Sequence, residues 1–213
     1  MAATSSDSDW LFYIQADEVV HEQYHKVIVD EMQRYKNDKR VEGLLFNYHH
    51  FYGSYKYIGD GRRWYSKEIR IIRNDKRIKS YRDAQGFRWD DNRKVNVKLI
   101  DANIYHYGWV RNPATMHKKT EGFGKLWAGE EGKKITGEFV EKNAEFDYSK
   151  IDTVTLFTGT HPLVMMPLIE KENWKFEMDV KKKSFKNFKH RVLYFLWQTF
   201  GIRPFEYSNY KKI

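Results

Sequence analysis

An α/β fold, with a mixed sheet flanked by helices, is predicted by three features of the chain. The apolar run Trp10-Leu11-Phe12-Tyr13-Ile14 breaks abruptly into Gln15-Ala16-Asp17-Glu18, as a central buried strand does when it delivers carboxylates to its C-terminal end. Over residues 20–35, Tyr24, Val27, Ile28, Met32 and Tyr35 recur at helical spacing, with Glu22, Lys26, Glu31 and Arg34 left for the wet side. Further strand-like runs occupy residues 41–46, 67–73, 95–99 and 104–106. Because ligands of open α/β sheets bind beyond the carboxyl ends of the strands, Asp17 and Glu18 become candidate site residues. The alternative for the same acids is an ordinary helix N-terminus, where they meet the helix dipole.

Composition narrows the class. In 213 residues, 41% hydrophobic and 17% aromatic content is enough for one sizeable core despite 31% charged residues, which excludes a disordered chain. With no cysteine there are no disulfides and no thiolate metal sites, in keeping with a reducing cytoplasm. No apolar run approaches the roughly 20 residues that span a bilayer, and the first residues hold neither a basic nor an apolar signal region. The expected location is cytoplasmic, with peripheral contact at the inner face of the membrane as the one membrane option. A net charge of +9 attracts nucleotide phosphates, anionic lipid and nucleic acid alike. The aromatic, glycine-loop and zinc-finger patterns of nucleic-acid binders are missing, so nucleic acid is the least favoured partner.

Along the chain, His21 and His25 stand four apart on the first helix and are expected to be exposed rather than metal-bound. Residues 47–66 carry many aromatics and glycines, and read as a loop that either stacks on a flat ligand or pins itself to the core. Residues 67–73 alternate as a strand in which Arg70, in mid-strand, needs a partner. Residues 81–87 form a loop centred on Asp83. Residues 95–99 place Val95, Val97 and Leu99 on one face, which Ile104 and His106 then continue. Asn112-Pro113 starts a helix, since Asn caps free N–H groups and Pro has none to leave unpaired. It is expected to run to about Trp127, with Met116, Phe123 and Trp127 inward, before the charged, glycine-bearing break at residues 128–134. A last helix from Ser184 to about Phe200 gathers Phe185, Phe188, Val192, Phe195, Leu196 and Phe200 on one face. With Lys181, Lys182 and Lys183 in front it is basic and amphipathic, either a core helix capped by Ser184 or a peripheral attachment to an anionic membrane.

The segment Trp10-Leu11-Phe12-Tyr13-Ile14-Gln15-Ala16-Asp17-Glu18 resembles the metal-binding segment of family 2 glycosyltransferases of the GT-A fold, which place Asp-x-Asp or a variant after a hydrophobic strand. The resemblance continues through Glu68-Ile69-Arg70-Ile71-Ile72-Arg73, Ser80-Tyr81-Arg82-Asp83-Ala84-Gln85-Gly86-Phe87 and Ile104-Tyr105-His106-Tyr107-Gly108-Trp109-Val110-Arg111, and spans about residues 9–127. Asp17 matches the second aspartate, and Gln15 stands where the first is usual. The resemblance implies a partial GT-A (Rossmann-like) sheet over residues 1–130, the C-terminal part of a longer domain whose nucleotide-binding half would precede it, and a mainly helical appendage over 131–213. It implies Asp17 and His106 as ligands of a divalent cation, Mn²⁺ or Mg²⁺, and Asp83 as the general base, with Ala84-Gln85 replacing the His-Glu of some relatives. Gln15, Glu18, Arg70, Gln85, Trp109 and Arg111 are then expected at the substrates, a nucleotide-sugar donor and a glycan or lipid-linked acceptor. The implied activity is inverting, metal-dependent sugar transfer. The alternatives are a non-catalytic remnant of such a transferase, or a basic module for membrane surfaces or nucleic acid.

Overall fold

A computed structural model describes residues 7–82, 86–126 and 145–213, leaving out the side chains of 120–126. Its strands are β1 (Trp10–Phe12), β2 (Glu18–Val20), β3 (Gly43–Tyr52), β4 (Tyr57–Gly59), β5 (Lys67–Arg73), β6 (Ile78–Ser80), β7 (Phe87–Trp89), β8 (Val95–Trp109), β9 (Val154–Leu156) and β10 (Tyr210–Lys212). The helices are α1 (His25–Arg34), α2 (Pro113–Leu126), α3 (Met166–Ile169) and α4 (Phe188–Phe200), with short 3₁₀ turns between them. The class is α/β, with parallel and antiparallel pairing in a mixed sheet. Among the described residues no helix is long and apolar enough to cross a membrane. The chain forms two discontinuous units. One gathers the residues up to His49 with Arg62–His106 and Arg191–Ile213, and the other gathers His50–Gly61 and Tyr107–His190.

In the first unit β1 pairs antiparallel with β5, β5 antiparallel with β3, and β3 with β8. β2 pairs antiparallel with residues 104–106 of β8, and β10 pairs parallel with residues 95–97. Strand alternation sends Leu44, Phe46, Tyr48, Ile71, Ile100, Ala102 and Ile104 into one core, which α1 covers through Ile28 and Met32. The opposite core collects Leu45, Ile69, Ile72, Val95 and Val97 under Ile78 and Phe87 of the β6–β7 hairpin. With both faces covered, β5 is buried from Glu68 to Ile72, as the apolar run around Arg70 requires.

Several expectations change here. β1, expected as a central strand of the longer domain, ends the strand order among the described residues, with Phe12 and Ile14 exposed. The helix expected from Val20 begins as a 3₁₀ turn at Glu22, because residues 18–20 are taken by pairing with β8. His21 is buried, not exposed. Its Nδ1 accepts the N–H of Gln23 at 3.2 Å and so caps that turn, while His25 is exposed as expected. The predicted strand 41–46 continues through Tyr52, which absorbs the first third of the aromatic loop. Residues 95–109 form one strand rather than two. Burial alternates on Val95 and Val97, slips by one at Leu99, which is exposed, and resumes on Ile100, Ala102 and Ile104.

The second unit has an aromatic core. Phe51 stacks on Tyr107 with ring centroids 4.6 Å apart, and Tyr148 meets Tyr52 and Phe146 edge-on at 5.2 and 4.7 Å. β4 pairs antiparallel with both β3 and β9. α2 begins at Pro113 as predicted, with Asn112 Oδ1 accepting the Ala114 N–H at 3.1 Å and Met116 buried. The Phe123 side chain, Trp127 and the 128–134 break lie outside what is described. α4 starts at Phe188, four residues later than predicted. Asn187 is its cap, accepting the His190 N–H at 3.0 Å, while the Ser184 N–H is spent on the carbonyl of Asp152.

Candidate functional site

Residue Glu18 opens β2 opposite His106 of β8, a register that fixes the site. Its carboxylate is wholly buried and bidentately held by Arg70: Nε donates to Oε2 at 2.8 Å and an Nη to Oε1 at 2.6 Å. The Tyr48 hydroxyl donates to Oε1 at 2.9 Å and the Gln15 N–H to Oε2 at 3.1 Å. The guanidinium lies between the rings of Tyr13 and Tyr48, and its remaining Nη reaches the Ile69 carbonyl. Arg70 thus has the partner that a mid-strand arginine requires. Burial alone would lower its pKa, but the hydrogen bonds it donates to Glu18, together with the nearby carboxylate and phenol oxygens, raise it above the ordinary arginine value. Burial drives the Tyr48 hydroxyl well above its usual range, so it stays a donor.

The next residue out is Asp17, half-buried, whose Oδ2 lies 3.7 Å from Nε2 of His106. The two residues are 89 positions apart in sequence (106 − 17) and meet because β2 pairs with β8 at their neighbours. Two donor atoms bound to one divalent ion, each at about 2.1 Å, stand about 3 to 3.5 Å apart, so this pair fits a shared cation with a small contraction. Among the described residues no group of three or more His, Cys, Asp or Glu is assembled for a metal ion.

Tyr65 packs edge-on against Tyr48 at 4.9 Å. Its hydroxyl is pushed upward by burial first, then pulled down by Arg70 and up by Glu18, Glu68 and Asp17, which places all four charges in its surroundings. Glu68, two residues before Arg70 on β5, is the second buried carboxyl. Its Oε1 accepts the Ile69 N–H at 2.8 Å, and burial pushes its pKa up to about 7, the Ile69 N–H and Arg70 opposing and Glu18 assisting. Gly86 packs against it: a Cβ built there, at φ +101°, would stand 2.6 Å from Glu68 Oε1, so only glycine fits. The Tyr81 N–H donates to the Gly86 carbonyl.

Five expected site residues are therefore brought together: Gln15, Asp17, Glu18, Arg70 and His106. Glu18 and Arg70, expected at the substrates, donate and accept hydrogen bonds with each other, and the Tyr48 hydroxyl donates to Glu18 as well. Trp109 and Arg111 belong to the second unit. There Trp109 packs on Tyr52 and Phe146, while the exposed Arg111 gives its carbonyl to the Tyr148 hydroxyl at 2.8 Å. Asp83 and Gln85 lie outside the described residues. Sequence reasoning missed Tyr48, Tyr65 and Glu68. The period of two along residues 67–73 already put Glu68 on the Arg70 face, whereas nothing short-range links either tyrosine to Glu18. No protein-family model matches this chain, and no curated protein sequence matches it.

Proposed function

We propose that this chain serves inverting, metal-dependent transfer of a sugar from a nucleotide-activated donor to a glycan or lipid-linked acceptor, through a site like that of GT-A family 2 glycosyltransferases. The observation that carries the proposal is the approach of Asp17 and His106 to 3.7 Å, since these are the two ligands that the resemblance names from distant parts of the chain. Mg²⁺ and similar hard cations commonly take only one or two protein ligands and complete their shell with water and substrate phosphates, so a two-residue site suits them. Histidine tilts the choice toward Mn²⁺. A cation held there would act as a Lewis acid, offsetting charge on the departing diphosphate.

The chain's own residues divide the remaining work. The Arg70–Glu18–Tyr48 network fixes the start of β2 and so the carboxylate of Asp17, a rigid support of the kind that metal ligands need. Asp83 takes the proton of the attacking hydroxyl as general base. Gln15, Gln85, Trp109 and Arg111 are assigned to the donor or the acceptor.

The test is thermal unfolding in a Mn²⁺ titration. At ten times its Kd, a metal that binds only the native state adds about 1.4 kcal/mol of stability. Asp17→Asn and His106→Ala are each expected to abolish that gain. Asp83→Asn should keep it and lose nucleoside diphosphate release from a panel of UDP-, GDP- and dTDP-sugars. A wild-type protein indifferent to Mn²⁺ and Mg²⁺, or two ligand variants that respond as wild type does, would sink the assignment.

A further inference from the structure

Helix α4 presents an apolar stripe to solvent. Phe188, Val192 and Phe195 follow one another at spacings of four and three, which aligns them on one helix face, and they are 77%, 39% and 58% exposed. The opposite face is the packed one: Leu193 is buried, and Trp197 lies under the Arg203 guanidinium at 4.1 Å. Beyond the helix the chain continues to expose apolar side chains at Ile202 and, most of all, at Phe205, 87% accessible. Phenylalanine has no polar atom with which to reward hydration, so a run of them left in water marks a surface built to be covered.

The charge around the stripe identifies the cover. Lys186, Lys189 and Arg191 are exposed on and just before the helix and residues 181–205 contain neither Asp nor Glu, while Lys183 pairs with Asp60, and Arg203, its side chain buried, with Glu206. Two copies of such a surface would bring like charges face to face, which disfavours self-association through it. An anionic lipid surface meets both demands, because it offers phosphates to the cations and an acyl boundary to the phenylalanines. We infer that α4 and the turn after it form a reversible docking surface for an anionic membrane, with Phe188, Phe195 and Phe205 as the inserted side chains and Lys186, Lys189 and Arg191 as the headgroup contacts.

Sedimentation of the full chain with phosphatidylcholine vesicles, with and without phosphatidylserine, tests this. The wild type is expected to pellet with the phosphatidylserine vesicles at low salt, less so at high salt, and not with phosphatidylcholine alone. Phe188→Ser combined with Phe195→Ser should lower the partition coefficient about a hundredfold, on the order of tenfold for each ring withdrawn from the acyl boundary. Because both rings are solvent-exposed, unchanged far-ultraviolet circular dichroism should accompany that loss. Lys186→Glu, Lys189→Glu and Arg191→Glu together should abolish pelleting. Failure of the wild type to pellet, equal pelleting with neutral vesicles, or wild-type partition by the double phenylalanine variant would each overturn the proposal. So would a lipid-free dimer, or a shift of single-stranded RNA, that the phenylalanine variant loses, since either would give the stripe another occupant.

Discussion

Arg70→Met is expected to destabilise the protein by about 3 to 5 kcal/mol, the cost of leaving a buried carboxylate without its cation. Glu18 would keep only the Tyr48 hydroxyl and the Gln15 N–H, and Tyr13 and Tyr48 would lose the guanidinium between them. Removing the pair together with Glu18→Leu should restore most of the loss, because an apolar pair of similar volume leaves no orphaned charge. Guanidinium denaturation of the wild type, both single variants and the double variant measures the coupling. A single Arg70→Met loss below about 1 kcal/mol would mean that the pair does not hold β2 in place.

The second large effect is a pH dependence centred on Glu68. Its folded-state pKa of about 7 lies above the ordinary glutamate value of 4.5, so the native state prefers the protonated form. The sign follows directly: stability from this group is fully present below about pH 4.5, falls as the unfolded chain releases its proton, and is gone once pH has passed about 7. A gap of that size corresponds to about 3 kcal/mol at most. The groups facing it are Arg70 on its own strand, Glu18 of β2, Tyr65, and Tyr210 of β10, whose hydroxyl burial pushes up to about 12. Glu68→Gln should therefore gain stability over the wild type at pH 8, match it near pH 4, and flatten the profile between. Parallel profiles for the two proteins would place the titration elsewhere.

How legible all this was depended on how local the cause is. β5 was found from end to end, but not its faces: Ile69 and Ile71, expected on one side, enter opposite cores because the pairing with β3 shifts register beside Arg70. The start of α2 was equally plain, since Asn112-Pro113 carries its own capping chemistry. β8 was divided because its alternation slips by one at Leu99, and a period-two reading has no means of bridging a phase change. The start of α4 was misplaced because Ser184 and Asn187 are both good caps, and only the tertiary bond from the Ser184 N–H to Asp152 decides between them. At the site, Asp17 and His106 were nameable from motif resemblance, while the Glu18–Arg70 pair and Tyr48 depend on strand order. The place of β1 depends on strand order too: apolar composition reports burial, and Trp10 is indeed buried, but it does not report which strand lies beside which.

The parallel pairing of β10 with β8 also governs when this protein can fold. Tyr210 aligns with Val95 at a separation of 115 positions (210 − 95), so the first unit gets its last strand only after the ribosome has delivered residues 107–190 of the second. Such long-range pairing is slow to form, because loop closure must precede any return from the contact. Val95–Val97 must wait for its parallel neighbour until residues 210–212 have been made, and Asn209, which receives the Arg88 side chain at 2.6 Å, arrives with it. The nascent chain consequently carries an unfinished sheet until Tyr210–Lys212 have been made, and the strand that completes it is among the last of the described elements to arrive.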